Sequence, residues 1–392
     1  MNADSTTSGG GWPLAVLGPF HPYRGGIAHH TTLLANTLCA HQPVFGLSFK
    51  RLYPDLLFPG RTQYDASDAP LQAHDVETAR IVDSIAPHTW LRAARAVQGR
   101  GCRMLVVQWW HPFFAPPYAC IAHLVRRAGI RVVFLCHNVL PHERSRIDAA
   151  LIRVGLGAAD AYIVQSDPDR VAIESMFPGR PFELTPHPAY TFFAGGRTDR
   201  EHARRRLGVD GPVVLFFGLV RAYKGLDVLL RAVAQARARV PVQLLVAGEF
   251  YEKRAPYEAL LDELGVRDAV RFEDRYIPNE EVETFFRAAD VVVLPYRSAT
   301  QSGIVQIALA FERPVIVTRV GGLPEAVRPG ETGEVVASDD PAALAAALVA
   351  FFEDNAAERM RPHLRGADAA FSWSAMRAAV HALGARLGLP SL

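Results

Sequence analysis

Lysine, cysteine and excess charge are all in short supply in this chain, and each shortage removes a class of function. Lys50, Lys224 and Lys253 are its only lysines, against 42 Lys and Arg residues together. A pyridoxal phosphate enzyme would need its Schiff-base lysine from these three, which disfavours that chemistry. The four cysteines, Cys39, Cys102, Cys120 and Cys136, form neither a CxxC pair nor a disulfide framework. They read as small buried apolar residues in a reducing compartment. With 42 basic and 40 acidic residues the net charge is +2, too balanced for a protein that coats nucleic acid. The opening MNADSTTSGGGWP has no basic stretch followed by an apolar one, so no secretory leader is expected. GxGxxG, HExxH and GxSxG are missing, and no DxD-type carboxylate pair lies in a suitable loop. The histidines are scattered as His29–His30, His137, His142 and His187, so no metal site is expected.

What is present is ordinary globular composition, 49% hydrophobic and 21% charged, in 392 residues, enough for two or three domains. Met104 to Val125 carries no Asp, Glu, Lys or Arg. It is long enough to cross a bilayer, but Gln108, His111, His123, Pro112, Pro116 and Pro117 favour a buried strand followed by a loop and a helix. Strands are predicted at Leu14–Leu17, Met104–Val107, Arg131–Cys136 and Ala161–Val164, then at Val213–Phe217, Gln243–Ala247, Val270–Phe272, Val291–Leu294 and Val315–Thr318. These runs are nearly continuous in Val, Ile, Leu and Phe, as in parallel strands covered on both faces. Amphipathic stretches such as Ile27–Ala40, Leu226–Ala238 and Glu280–Ala289 separate several of them, which predicts a doubly wound α/β fold. The rhythm breaks between about Thr185 and Pro212, where loop, charge and a short exposed helix are expected. Two α/β domains of similar size should flank that break, with a cleft between them.

Ligands of open parallel sheets bind beyond the C-terminal ends of the strands. After the first strand, Gly25 and Gly26 precede a helix and let backbone amides approach an anion; a plain turn would look the same. His137 follows RVVFLC and could meet a hydroxyl in the cleft or cap its own loop. Arg221 and Lys224 sit three apart in GLVRAYKG before a helix, a metal-free clamp for a diphosphate or else a solvated basic turn. Thr300, Gln301 and Ser302 precede a helix whose amides at Gly303, Ile304 and Val305 should point into the cleft. Gly321 and Gly322 make a tight turn before Glu325, which could accept hydrogen bonds from sugar hydroxyls.

In this order the motifs resemble the retaining GT-B glycosyltransferases of glycosyltransferase family 4, the glycosyl transferases group 1. The resemblance is carried by GPFHPYRGGIAHH, FLCHNVLPHE and YIVQSD in the first half, and by FFGLVRAYKGLDVLL, LLVAGEFY, DRYIPNEEVETFFRAADVVVLPY, SGIVQIALAFERPVIVTRVGGLPEAV and GETGEVV in the second. It implies two Rossmann-like domains: residues 1–195 on the acceptor side and 196–370 for the nucleotide sugar. Residues 371–392, FSWSAMRAAVHALGARL and the tail, look like the family's terminal helix, which crosses back to the first domain. The implied donor is a nucleoside diphosphate sugar. Arg221 and Lys224 would hold its diphosphate, helped by Gly25, Gly26 and the amides of Gly303, Ile304 and Val305. His137 would contact the sugar, and Tyr276 and Ile277 would approach the base. Glu249, Thr300, Gln301, Ser302 and Glu325 complete the implied sugar and nucleoside set. Fixed protein charges, without a metal or other cofactor, would stabilise the leaving diphosphate.

Two departures stand out. Many members carry two glutamates eight positions apart, where this chain has Thr300 and Ala308, and Leu219 stands where a basic residue usually follows the glycine of the phosphate-loop strand. Thr300, Gln301 and Glu325 are the replacement candidates for the former, Arg221 for the latter. The expected activity is transfer of a hexose-type unit, with retention, to a glycan or lipid-linked acceptor hydroxyl in bacterial surface polysaccharide or lipopolysaccharide assembly. A catalytically impaired nucleotide-sugar-binding or scaffold relative is the alternative. The expected location is cytoplasmic. LSFKRLYPDLLFPGRTQYD, with WWHPFFAPPY, could add a peripheral contact with the inner face of the membrane, or could be a packed proline-rich loop.

Overall fold

The computed structural model describes residues 11–58, 60–140, 146–196 and 198–391; His142 lies outside them. Among these residues, β1 (Leu14–Leu17), β2 (Val44–Arg51), β3 (Glu77–Asp83), β4 (Met104–Trp109), β5 (Arg131–Cys136), β6 (Ala161–Val164) and β7 (Phe182–Leu184) form one parallel sheet, in the order β3-β2-β1-β4-β5-β6-β7. A second parallel sheet holds β8 (Val213–Phe217), β9 (Gln243–Ala247), β10 (Val270–Glu273), β11 (Val291–Leu294), β12 (Val315–Thr318) and β13 (Gly333–Val336), in the order β10-β9-β8-β11-β12-β13. The central strands are closed to water along their length, as LAVL of β1 and VVVL of β11 show, because helices cover both faces. Each sheet reverses its winding order once, between β1 and β4 in the first and between β8 and β11 in the second. Loops leaving β1, β8 and β11 therefore open at a switch point, where an α/β sheet has a crevice.

All nine predicted strands form, and β2, β3, β7 and β13 join them. The last three lie at or next to sheet edges or run for only a few residues, with one face wet, so they lack a continuous apolar run. Gly46 and Ser48 interrupt the run in β2. Met104–Val125 resolves into β4, a short turn and the Ala115–Arg127 helix. Among the described residues no helix is long and apolar enough to cross a membrane.

The segment considered as a membrane contact is divided, with Lys50, Arg51, Arg61 and Tyr64 exposed and several of its aromatic rings packed inside. Phe49 is fully buried in β2, and Phe114 and Tyr118 of the second stretch pack against it. Tyr53 stacks on Phe113 and meets Phe58. Leu56 and Leu57 stay outside, at 96% and 58% exposure.

The charged helix in the break, Arg200–Leu207, is fastened to the second sheet by Arg200 and Arg204, both paired with Asp290. Asp290 also accepts from the Val213 amide at 2.8 Å, which fixes the start of β8. The Trp373–Arg386 helix returns to the first sheet, where Met376, Val380 and Leu383 enter the core beside Trp12, Leu14, Val16 and Met104. Its end is tied by Arg386 to the Phe182 carbonyl at 3.0 Å and to Glu183 at 2.9 Å. Leu383→Ala should lower stability by about 2–4 kcal/mol, the cost of emptying a closed leucine site. Urea unfolding followed by Trp fluorescence checks this, and an unchanged midpoint would show that the returning helix contributes no core.

Candidate active site

The two switch points face each other across a cavity of about 420 Å³. The first sheet contributes Arg24, Gly25, Gly26 and His29 to its wall. The second contributes Gly218, Lys224, Glu249, Tyr276, Ile277 and the start of the Gly303–Ala310 helix, and Tyr190 closes the connecting side. Backbone crowding shapes the second side. At Gly248, φ is +153° and a Cβ would stand 2.0 Å from the Gly218 carbonyl oxygen, so only glycine lets the backbones leaving β8 and β9 come that close. At Gly303 a Cβ would meet the Tyr190 ring at 2.9 Å, so glycine lets the helix start close against the connecting segment.

Lys224 ends the turn that follows β8. Its Nζ lies 5.4 Å from the centre of the Tyr296 ring, and a Cβ on Gly218 would be 3.4 Å from it. The side chain is partly open to the cavity, yet enclosed enough that burial, aided by the charge of Arg221, pushes its pKa down to about 8. No carboxylate among the described residues pairs with it. An unneutralised ammonium held in a cleft keeps its charge available to whatever enters. Arg221 is exposed at the rim, its guanidinium 5.9 Å from the Tyr223 ring centre and 6.0 Å from that of Tyr251.

Sequence reading passed over Arg24, the residue before Gly25. It pairs with Glu249 across the cleft, and both side chains are almost fully buried. It also lies over the Tyr276 ring, 4.6 Å from the centre, and reaches the Tyr251 hydroxyl. Glu249 accepts the Arg61 amide as well. The signal was a lone arginine abutting the glycine pair, in a motif read only for its glycines.

The remaining candidates separate into two groups. Gly25, Gly26, Lys224, Glu249, Tyr276, Ile277, Gln301, Ser302, Gly303 and Ile304 line the cavity. His137, Arg221, Thr300, Val305 and Glu325 are not among its wall residues. The amides expected to be free at the Gly303–Ala310 helix are mostly used. Ile304 donates to Ser302 Oγ at 3.3 Å and Val305 to the Ser302 carbonyl at 3.1 Å, so Gly303 alone keeps an open N–H.

The three proposed replacements for the missing glutamates fasten the halves together instead. Thr300 Oγ1 lies 3.2 Å from the His137 carbonyl oxygen and 3.1 Å from Asn138 Oδ1. Gln301 Nε2 donates to the Gln165 carbonyl at 3.0 Å. Glu325 accepts the Asp167 amide at 3.2 Å, at the start of the Asp167–Met176 helix.

His137 lies behind the wall. Its Nε2 is 2.6 Å from Gln108 Oε1, and its ring centre is 4.5 Å from that of His30. The loop it begins is pinned by Asp169, which accepts the Val139 amide at 2.9 Å. The histidines separated in sequence are not scattered in space: His30, His137 and His187 converge, with ligand-capable atoms within 4.8 Å of one another.

Two facing Rossmann-like parallel sheets with a terminal helix returning to the first define the GT-B fold. Solved structures share it along nearly the whole chain. Sucrose-phosphate synthase from Thermosynechococcus elongatus is 22% identical with a TM-score of 0.72, covering 96% of this chain and 99% of that one. HepE of Anabaena, in complex with UDP and glucose, is 16% identical with a TM-score of 0.74, covering 96% and 100%. At sequence level, residues 211–354 match the family described as Glycosyl transferases group 1. D-inositol 3-phosphate glycosyltransferase of Corynebacterium efficiens is 37% identical over 223 residues, 54% of this chain and 49% of the relative. D-inositol 3-phosphate glycosyltransferase 1 of Catenulispora acidiphila is 32% identical over 278 residues, 64% and 66%. The chain spans about half the length of the curated relatives it matches first.

An unpaired enclosed ammonium costs stability while it is protonated. Its pKa in the fold, about 8, lies below the unfolded value, so the unfolded chain binds more protons between pH 8 and 10.5 and stability rises with pH across that window. Lys224→Met should remove this rise and stabilise the protein by roughly 2–4 kcal/mol at neutral pH, the scale of a drop from 10.5 to about 8. Melting temperatures at pH 7 and pH 10 check both, and an unaltered pH dependence would show that the ammonium is well solvated.

Proposed function

We propose that this protein is a nucleotide-sugar-dependent glycosyltransferase that moves a hexose-type unit to an acceptor hydroxyl with retention at the anomeric carbon. The observation that carries this reading is Lys224, a cation with no counterion among the described residues, in the wall of an interdomain cleft and in a segment that matches the glycosyl transferases group 1. The diphosphate of the donor takes the place of that missing counterion. Arg221 at the rim, the open amide of Gly303 and the backbone at Gly25 and Gly26 approach it from other sides. The base and ribose lie toward Tyr276, Ile277 and Glu249. Arg24 is the cation able to turn from Glu249 to a phosphate oxygen when donor enters. No role for a divalent cation at the diphosphate is invoked, since two protein cations and helix-end amides already meet its charge.

In the reaction the bond from the anomeric carbon to the diphosphate oxygen breaks as the acceptor oxygen bonds to the same face of that carbon. The acceptor's proton passes to the departing diphosphate oxygen. The cations lower the barrier because charge on that oxygen grows as the bond lengthens. His137, enclosed behind the wall, is given no contact with donor in this scheme. Leu52, Tyr53, Phe58 and Trp110 at the first-sheet end of the cavity form an apolar and aromatic floor for the acceptor, fitting a glycan or lipid-linked acceptor of the bacterial surface.

A panel of radiolabelled nucleoside diphosphate sugars with membrane extract as acceptor tests the reading. One donor should turn over, and binding of a nucleotide without transfer would favour a non-catalytic relative instead. With the active donor, Arg221→Ala and Lys224→Ala should each lower kcat/KM by about 10²–10³, as losing one charged donor to the leaving group does. Near-normal kcat/KM in both variants removes the clamp. Donor affinity should be flat below about pH 8 and fall by up to about tenfold per pH unit above it, because only the protonated lysine attracts the diphosphate. Isothermal titration with the nucleoside diphosphate at pH 7, 8 and 9 reads this directly.

A further inference from the structure

The geometry points to a metal site outside the donor cleft, in which His30, His137 and His187 bind one zinc-class divalent cation and fasten the interdomain crossing to the first sheet. The three come from the Gly26–Cys39 helix, the end of β5 and the segment linking the two sheets. None of them is among the wall residues of the cavity, so the site is separate from the proposed diphosphate clamp. All three are buried, and among the described residues no Cys, Asp or Glu joins them.

The ring arrangement is that of a ligand set. Three imidazoles on one tetrahedral zinc, at about 2.0–2.1 Å from the metal, have ring centres roughly 5 Å apart. Here the centres are 4.5 Å apart for His30 and His137, 5.3 Å for His30 and His187, and 6.4 Å for His137 and His187. Ligand-capable atoms lie within 4.8 Å of one another, against roughly 3.3 Å for nitrogens on one tetrahedral ion, so binding draws the rings inward by rotamer-scale shifts.

The outer contacts also fit. A metal-bound histidine donates its other ring N–H to an oxygen. His187 Nδ1 donates to the Pro188 carbonyl at 2.9 Å, which leaves the lone pair on Nε2. His137 Nε2 donates to Gln108 Oε1 at 2.6 Å, which leaves it on Nδ1. His30 Nδ1 is buried with no hydrogen-bond partner, while its Nε2 faces the Gln165 amide at 3.3 Å. Gln165 Oε1, also buried and without a partner, becomes the acceptor for His30 Nε2–H once that amide is turned over. Without an ion the cluster leaves buried polar atoms unmet; with one, each ring has a partner on both nitrogens. The fourth position is open to water or to the Tyr190 hydroxyl, which stands 3.4 Å from His187 Nε2.

The test uses the full chain, stripped with chelator and kept free of nucleotide, so that its result is independent of the glycosyltransferase reading. Titration with Co²⁺ should give a visible d–d absorption that saturates at one ion per chain and is displaced by Zn²⁺, and Zn²⁺ should raise the melting temperature. His187→Gln and His30→Gln should each weaken binding at least 100-fold. Circular dichroism of the metal-free variants, matched to metal-free parent, separates ligand loss from misfolding. Absence of the band and of a melting shift in the parent protein overturns the site, as does a band that survives both substitutions.

Discussion

The pairing of Arg24 with Glu249 spans the cleft and ties the two halves to each other across it. Both charges are out of water, so the pair offers little net stability against an apolar substitute, but breaking it would leave one charge stranded. Its value lies in specificity of approach, because it favours placements of the halves that bring the two charges together. Around it the interdomain contacts fall into line: Asn279 N–H to Ser67 Oγ at 3.0 Å on one flank, Gln301 to Gln165 and Glu325 to Asp167 on the other. The cavity is the space these fasteners leave.

Lys224 shows the complementary principle. A core optimised for stability would not hold an enclosed ammonium without a carboxylate, and this fold has acidic residues to spare. Leaving the charge unmet stores attraction for an incoming anion at the cost of the empty protein's stability. Arg297, on the loop after β11, is treated in the opposite way: Asp227 and Asp339 both hold it, at 2.7 Å and 2.9 Å, and it has no charge left to offer a ligand.

Much of this was legible from residues alone. Continuous apolar runs located the central strands because burial on both faces leaves no polar positions. The glycine pairs and the Arg221–Lys224 turn located the strand ends that face one another. Residues whose partners lie on the other half were not legible. Thr300, Gln301 and Glu325 look like sugar ligands in sequence, since short polar groups after a strand are what such sites use. Only the approach of the first sheet reveals that they spend their hydrogen bonds on Asn138, Gln165 and Asp167. Arg24 was missed for the same reason, as its role depends on a carboxylate 225 positions away. His30, His137 and His187 are separated in the chain by far more than any metal motif spans, so spacing could not bring them together.

The chain passes between the halves twice, and the two passages run side by side. The Ala189 amide donates to the Phe371 carbonyl at 2.8 Å, and Trp373 Nε1 returns a bond to the Ala189 carbonyl at 2.9 Å. A single tether would act as a ball joint and permit the halves to swivel. A bonded double strap resists torsion about its own length, so bending across it is the softer freedom it leaves to the two halves.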